Sequence, residues 1–138
     1  TPMQWNTNAN AGFSEVKPWL QVNPNYKNIN VENQENDENS ILNYYRKILS
    51  LKREYDIFSY GKIIELERDN DQIFAYRKID TEEEILVFLS FSENEILIEY
   101  EFNKENDYNM LINNYKFVTK TIDKLTLQPY QAVIYKVE

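Results

Sequence analysis

Residues 40–55 read SILNYYRKILSLKREY, and the spacing of their apolar side chains decides how the rest of the chain is divided. Ile41, Tyr44, Tyr45, Ile48, Leu49, Leu51 and Tyr55 recur at threes and fours, the interval that gathers side chains on one side of an α-helix. The spacing predicts a helix over residues 40–56. Asp37, Asn39 or Ser40 supplies its N-cap, because a short oxygen-bearing side chain there accepts a hydrogen bond from the first free amides. Arg46, Lys47, Lys52 and Arg53 fall toward the other end, where cations complement the helix dipole. With Leu42 included, the apolar positions cover roughly half of the circumference, wider than the ~100° stripe that one partner needs. Two surfaces are therefore expected to cover this helix.

Beyond Gly61 the apolar period drops from near 3.6 to near 2, which marks half-buried strands. The pattern predicts strands at 62–68, 73–79, 85–90, 95–102, 108–113, 121–127 and 132–137. Asp69-Asn70-Asp71, the segment 80–84 and the segment 103–107 are turn-formers between them. Ile85 to Leu89 is apolar on both faces and reads as a central strand, whereas Ile96, Ile98, Tyr100 and Phe102 alternate with Glu99 and Glu101 and leave one face wet. Short strands at this spacing predict a mostly β domain over residues 57–138, an antiparallel β-sandwich with Greek-key crossings.

On the other side of the helix, residues 1–39 hold Pro2, Pro18, Pro24 and the permissive Gly12, so the expectation is an irregular, extended arm. Met3, Trp5, Phe13, Val16, Trp19, Leu20, Val22 and Tyr26 are too apolar for a solvated linker. An aromatic loop of this length is pressed against something and is functional rather than filler. Its acidic, amide-rich end, residues 32–39, reads as a solvated turn with nothing to bury. With no further partner in the chain, the arm is expected to fold over the helix or to pair with a second copy, burying Trp19 and Tyr44 with Ile48 in either case.

Composition excludes several function classes. A chain of 138 residues is one ordinary domain in length, long enough to bury roughly 70% of its unfolded surface without a metal or disulfide. It contains no Cys and no His, which removes disulfides, thiolate zinc sites and the Ser-His-Asp and Cys-His arrangements. The formal net charge of −8 repels phosphate backbones, so no nucleic-acid partner is expected. No apolar run reaches the roughly 20 residues that span a bilayer, so no membrane partner is expected either. Asp69-Asn70-Asp71 resembles the start of a calcium loop but places Ile73 at a ligand position and lacks the required Gly, so no metal site is expected. Adjacent carboxylates in Glu82-Glu83-Glu84 cannot face each other across a substrate and read as a charged turn. No catalytic residue is assigned, and no cofactor is implied.

The arm carries the most specific signal. Thr1-Pro2-Met3-Gln4-Trp5, Asn10-Ala11-Gly12-Phe13, Lys17-Pro18-Trp19 and Val22-Asn23-Pro24-Asn25-Tyr26 resemble a segment of family 13 glycoside hydrolases of the oligo-1,6-glucosidase and trehalose-6-phosphate hydrolase type. The resemblance continues through Ser40-Ile41, Tyr44-Tyr45, Tyr60-Gly61, Phe74-Ala75-Tyr76, Asn113-Asn114-Tyr115 and Leu127-Gln128-Pro129-Tyr130-Gln131-Ala132-Val133, and so covers essentially the whole chain. It implies a (β/α)8 barrel bearing the active site, followed by a β-sandwich called domain C. On that mapping residues 1–39 are the loop after the eighth barrel strand, residues 40–56 the last barrel helix and residues 57–138 domain C. The family's catalytic Asp, Glu and second Asp sit on earlier barrel strands with no counterpart here, so the chain itself is expected to be inert.

Barrel active sites lie where long βα loops emerge, so the resemblance marks Met3, Gln4 and Trp5 as candidates for a substrate-pocket wall. The other reading of Met3 and Trp5 is packing of the loop against the barrel. Asn6 departs from the Asp that many relatives carry after the Trp, which weakens any charge-based role there. The implied partner is the barrel, with self-association of this chain as an alternative, and the implied location is the cytoplasm. Two function classes stand: the C-terminal part of an α-glucosidase, or an independent non-catalytic module that binds carbohydrate or protein. Tyr76, Phe88, Tyr100 and Tyr135 sit at alternating strand positions suited to a core, which favours the first.

Overall fold

Alternating apolar residues from Ile63 to Val137 build two antiparallel sheets in a computed structural model that describes residues 1–67 and 69–138. The chain divides into two compact units, Thr1–Ile48 and Leu49–Glu138, with the boundary inside a helix. In the second unit, strands β1 (Lys62–Glu65), β2 (Ile73–Ile79), β3 (Glu84–Ser90), β5 (Tyr108–Asn113) and β8 (Ala132–Val137) form one sheet in the order β1-β2-β3-β8-β5. Strands β4 (Ile96–Glu99), β6 (Thr119–Lys120) and β7 (Lys124–Leu127) form the other, in the order β4-β7-β6. Every pair is antiparallel, and non-consecutive strands lie side by side, as Greek-key crossings require. The mostly β antiparallel sandwich expected from the period-2 pattern is the fold observed.

Strand β3 lies between β2 and β8, and its two apolar faces are both used. Leu86 and Phe88 enter the core between the sheets with Ile98, Phe102, Leu125, Leu127, Val133 and Tyr135. Ile85 and Val87 pack on the opposite face against Ile57 of the short helix α3 (Ile57–Tyr60). The buried Lys78 ammonium ties that helix down by donating to the carbonyl of Phe58. At one edge of the core, the ammonium of Lys120 lies over the rings of Tyr108, Phe102 and Tyr135 at 4.3, 4.6 and 5.2 Å, a cation–π contact that its aliphatic stem reaches from outside.

Three strand expectations are corrected. The run 121–127 is not one strand but the end of a hairpin: Thr121 N–H donates to Lys124 O, and the Thr121 hydroxyl donates to Asp123 Oδ1 at 2.9 Å. That turn has no Gly or Pro, so Ile122 reads as strand. The expected strand 95–102 forms a ladder only over Ile96–Glu99, although Tyr100 and Phe102 still donate to Asp123 and Ile122 and keep the alternation. Of the expected strand 62–68, residues 62–65 are strand, and Arg68 lies outside the described residues.

In the first unit the segment 32–39 is not a featureless turn. Val31–Glu35 forms helix α1, capped by Asn30, whose side chain accepts from Asn33 N–H and donates to Tyr26 O, both at 2.9 Å. Helix α2 (Ile41–Glu54) follows, and Ser40 caps it: its hydroxyl oxygen accepts from Asn43 N–H at 3.2 Å and donates to Gln34 O at 2.6 Å. The Gln34 side chain accepts from Leu42 N–H, and the Asn43 amide reaches the carbonyls of Gln34 and Asp37. A polar network therefore fixes α1 on the start of α2 where the sequence shows no apolar signal.

The expectation that the arm covers the helix is overturned. Trp19 is 93% exposed and Ile41 83% exposed, Ile48 and Leu49 stay partly open, and Leu42, Tyr44 and Leu51 are half-buried. Residues 14–16 of the arm are held through Asn10, whose amide donates to Ser14 O and Val16 O. Backbone polar groups are satisfied locally in this way, and Ile41, Tyr45, Ile48 and Leu49 of the apolar face stay exposed among the described residues.

Candidate functional site

The candidate residues Met3, Gln4 and Trp5 form a short extended strap clamped on both sides. On one side, the first free amides of α1 donate to it: Val31 N–H to Gln4 O at 2.9 Å and Glu32 N–H to Trp5 O at 3.0 Å. A helix start has unpaired N–H groups, and here the strap supplies their acceptors. On the other side, the carbonyl of buried Ala11 accepts from Trp5 N–H at 2.9 Å and Asn6 N–H at 3.2 Å.

That second clamp depends on an unusual backbone. Asn10, Ala11 and Gly12 have φ values of 52°, 60° and 68°, the left-handed region that costs a side-chain-bearing residue of order 1–2 kcal/mol. Three such residues in succession turn the Ala11 carbonyl back toward the strap. Gly12 suits this position, because its φ of 68° is strained for other residues and a Cβ there would force the Asn6 side chain to shift. Asn6 in turn accepts from Asn8 N–H at 3.0 Å, a bond that an Asp would make equally well.

The clamp sorts the three candidates. Gln4 is half-buried and turned inward: its amide donates to Asn25 Oδ1 at 2.9 Å and to the Ile29 carbonyl. Met3 and Trp5 each remain 49% exposed. Met3 and Gln4 line a shallow open depression of about 280 Å³ together with Ile29, Asn30 and Gln34, and Trp5 lies outside it. Gln4's anchoring role was not legible in the sequence, where it reads only as a polar residue between two apolar ones.

Carboxylates are engaged elsewhere as structural partners. Asp80 accepts from the backbone N–H of Glu82 and Glu83, both at 2.8 Å, and these bonds hold its carboxyl below the usual range. Glu83 pairs with Lys136 at 2.9 Å and Glu84 with Arg77 at 3.4 Å. In the turn at Asp69 to Asp71, Asn70 Oδ1 accepts from Gln72 N–H at 3.1 Å. Among the described residues no group of three or more acidic side chains is placed to hold a metal ion, and no helix is long and apolar enough to cross a membrane.

An antiparallel β-sandwich preceded by an amphipathic helix and a clamped, aromatic-bearing loop is the arrangement that the chain presents. Residues 1–61 match the α-amylase catalytic domain, and residues 63–134 match the maltogenic amylase C-terminal domain. The chain belongs to glycoside hydrolase family 13, with the maltogenic amylase C-terminal domain as its β-sandwich.

Across its whole length it is 37% identical to an oligo-1,6-glucosidase of Bacillus cereus and 39% identical to an α-glucosidase of Candida albicans, covering 25% and 24% of those proteins. Among solved structures it is similar to the trehalose-6-phosphate hydrolase of Bacillus licheniformis, with a TM-score of 0.90 and 33% identity over 99% of this chain and 25% of that one. It is also similar to the isomaltulose synthase of Klebsiella sp. LX3, with a TM-score of 0.87 and 34% identity over all of this chain and 25% of that one. The chain thus spans about a quarter of the length of the curated relatives it matches.

Proposed function

We propose that this sequence is the C-terminal quarter of a longer α-glucosidase that cleaves terminal α-1,6-glucosidic bonds of short oligosaccharides. On this reading the chemistry follows the retaining, two-carboxylate route on residues upstream, and the present stretch is structural. The observation that carries the reading is the pair of adjacent matches, catalytic domain over residues 1–61 and C-terminal domain over residues 63–134, in a chain 37% identical to an oligo-1,6-glucosidase throughout. Residues 1–39 are then the loop after the last barrel strand, residues 40–56 the last barrel helix and residues 57–138 domain C. The barrel is the partner that covers Trp19 and the open face of α2. Met3 and Trp5 contribute to the pocket wall, and Gln4 holds the strap that carries them. The reading brings a cytoplasmic location with it.

A second reading, hydrolysis of trehalose 6-phosphate, is favoured by the TM-score of 0.90 to an enzyme of that activity. The longer protein, assayed by proton NMR with isomaltose and with trehalose 6-phosphate, separates the two. Turnover of isomaltose with α-glucose as the first anomer released is expected. Preference for trehalose 6-phosphate selects the second reading, and initial release of β-glucose overturns the retaining mechanism.

A further inference from the structure

The loops that close one end of the sandwich carry four exposed aromatic side chains: Phe91 after β3 (62% exposed), Tyr115 and Phe117 between β5 and β6 (40% and 74%), and Tyr130 between β7 and β8 (55%). Exposed loop residues usually ride on mobile backbone. Here the backbone is pinned from beneath by one buried side chain. Gln131 is sealed from solvent, and its amide donates to Asn113 Oδ1 at 2.9 Å and to Phe117 O at 3.2 Å, while its Oε1 accepts from Gln128 N–H at 2.8 Å.

Further bonds complete the frame. Asn114 donates to Tyr130 O at 2.9 Å and accepts from Ala132 N–H at 2.8 Å. The Tyr115 hydroxyl donates to Pro129 O at 2.7 Å, and Tyr130 N–H donates to Ser92 O at 3.2 Å, which brings in the loop after β3. Within this frame Tyr130 is held at φ 54°, a left-handed conformation that a bulky residue adopts only when its surroundings over-determine it. Strain is thus spent on fixing an exposed ring, where an isolated turn would take Gly or Asn.

The chemistry around the rings selects a ligand class. The Tyr130 hydroxyl donates to Glu93 at 3.4 Å, and the Gln128 amide donates to Glu95 at 2.5 Å, so carboxylates and an amide border Tyr130, while the ammonium of Lys116 lies 5.5 Å from the centroid of the Phe117 ring. A pyranose ring has an apolar C–H face that lies on an aromatic ring and hydroxyls that donate to carboxylates. Phosphates and acidic peptides meet carboxylates of like sign, on a chain whose formal net charge is −8.

We propose that this end of the sandwich binds short neutral α-gluco-oligosaccharides, with Tyr130 as the central platform, Tyr115 and Phe117 beside it and Glu93 accepting from sugar hydroxyls. The choice of α-linked glucose rests on the function proposed above; the choice of a neutral sugar rests on the site alone.

Calorimetric titration of the 138-residue chain with maltohexaose and with isomaltohexaose tests it. Saturable binding with Kd on the order of 1 mM is expected. Tyr130→Gly removes the ring and relieves the left-handed strain, so its denaturation midpoint should hold or rise while binding weakens by about tenfold or more. Phe117→Ala, which keeps the backbone carbonyl bonded to Gln131, should also weaken binding. Three outcomes overturn the proposal: no saturable heat with either sugar, binding unchanged in both variants, or equal binding of cellohexaose. Concentration-dependent self-association that both variants abolish would also overturn it, because the face would then be a protein interface. Hydrolysis of isomaltose by the longer protein should be unaffected by Tyr130→Gly, so this site and the α-glucosidase reading fail separately.

Discussion

Phe88 concentrates the energetics of the sandwich in one side chain. It is sealed from solvent, pairs with Ala75 and Val133 on the flanking strands and meets the rings of Tyr100 and Phe102 at 5.4 and 6.3 Å. Phe88→Ala should cost about 3–5 kcal/mol through lost burial and a residual cavity. Glu82 contributes its backbone N–H to the turn at Asp80, so Glu82→Ala should stay within about 0.5 kcal/mol. Glu83→Ala, which removes a partly exposed ion pair with Lys136, should cost about 0–1 kcal/mol. Equal denaturation midpoints for Phe88→Ala and Glu82→Ala would contradict the central place of β3. Tyr135 supplies a pH signature, because burial pushes its hydroxyl from 10.0 up to about 12. The unfolded chain then loses this proton first, so stability is full below pH 10 and falls as pH rises from about 10 to 12. Tyr135→Phe should flatten that part of the base-side curve without removing it, since burial also raises Tyr44, Tyr76 and Tyr100.

Helix α2 shows how far periodicity carries and where it stops. Its existence follows from the spacing of Ile41, Tyr44, Tyr45 and Ile48, and of the three cap candidates Asp37, Asn39 and Ser40 it is Ser40 that accepts from Asn43 N–H. What covers its apolar face is not local, and the expected burial of Trp19 and Ile48 fails within this chain. Strands β2, β5 and β8 keep the predicted bounds because turn-formers delimit each of them, even though the register of β5 against β8 shifts between Met110 and Ile112. The β6–β7 hairpin was hidden because the turn at Ile122-Asp123 carries a strand-forming residue and no Gly. Helix α1 was hidden because amide side chains, which read as loop, supply its cap and its links to α2. The exposure of Ile41 gives a differential prediction. Ile41→Gln should change the stability of this chain by less than about 0.5 kcal/mol, since Ile41 is 83% exposed. In the longer protein it should lower stability by about 2–5 kcal/mol if the barrel buries that side chain. Denaturant midpoints of both proteins, with and without the substitution, provide the comparison.

At the scale of the whole chain, fold and family were legible for different reasons. The β-sandwich followed from alternation that any antiparallel sheet must show, whereas the family rested on the order and spacing of fragments such as TPMQW and QPYQA, whose separate physical roles no pattern rule supplies. The sequence named Met3, Gln4 and Trp5 together without distinguishing what each does. That Gln4 anchors while Met3 and Trp5 stay exposed depends on the left-handed run at Asn10 to Gly12 and on α1, and both emerge only in three dimensions. The central claim is that this stretch supports catalysis carried out by residues outside it. Glucose release from isomaltose, an aryl α-glucoside and trehalose 6-phosphate by the purified 138-residue chain tests that claim most directly. The account predicts no release above the blank with any of the three, and saturable turnover that copurifies with the folded chain would contradict it.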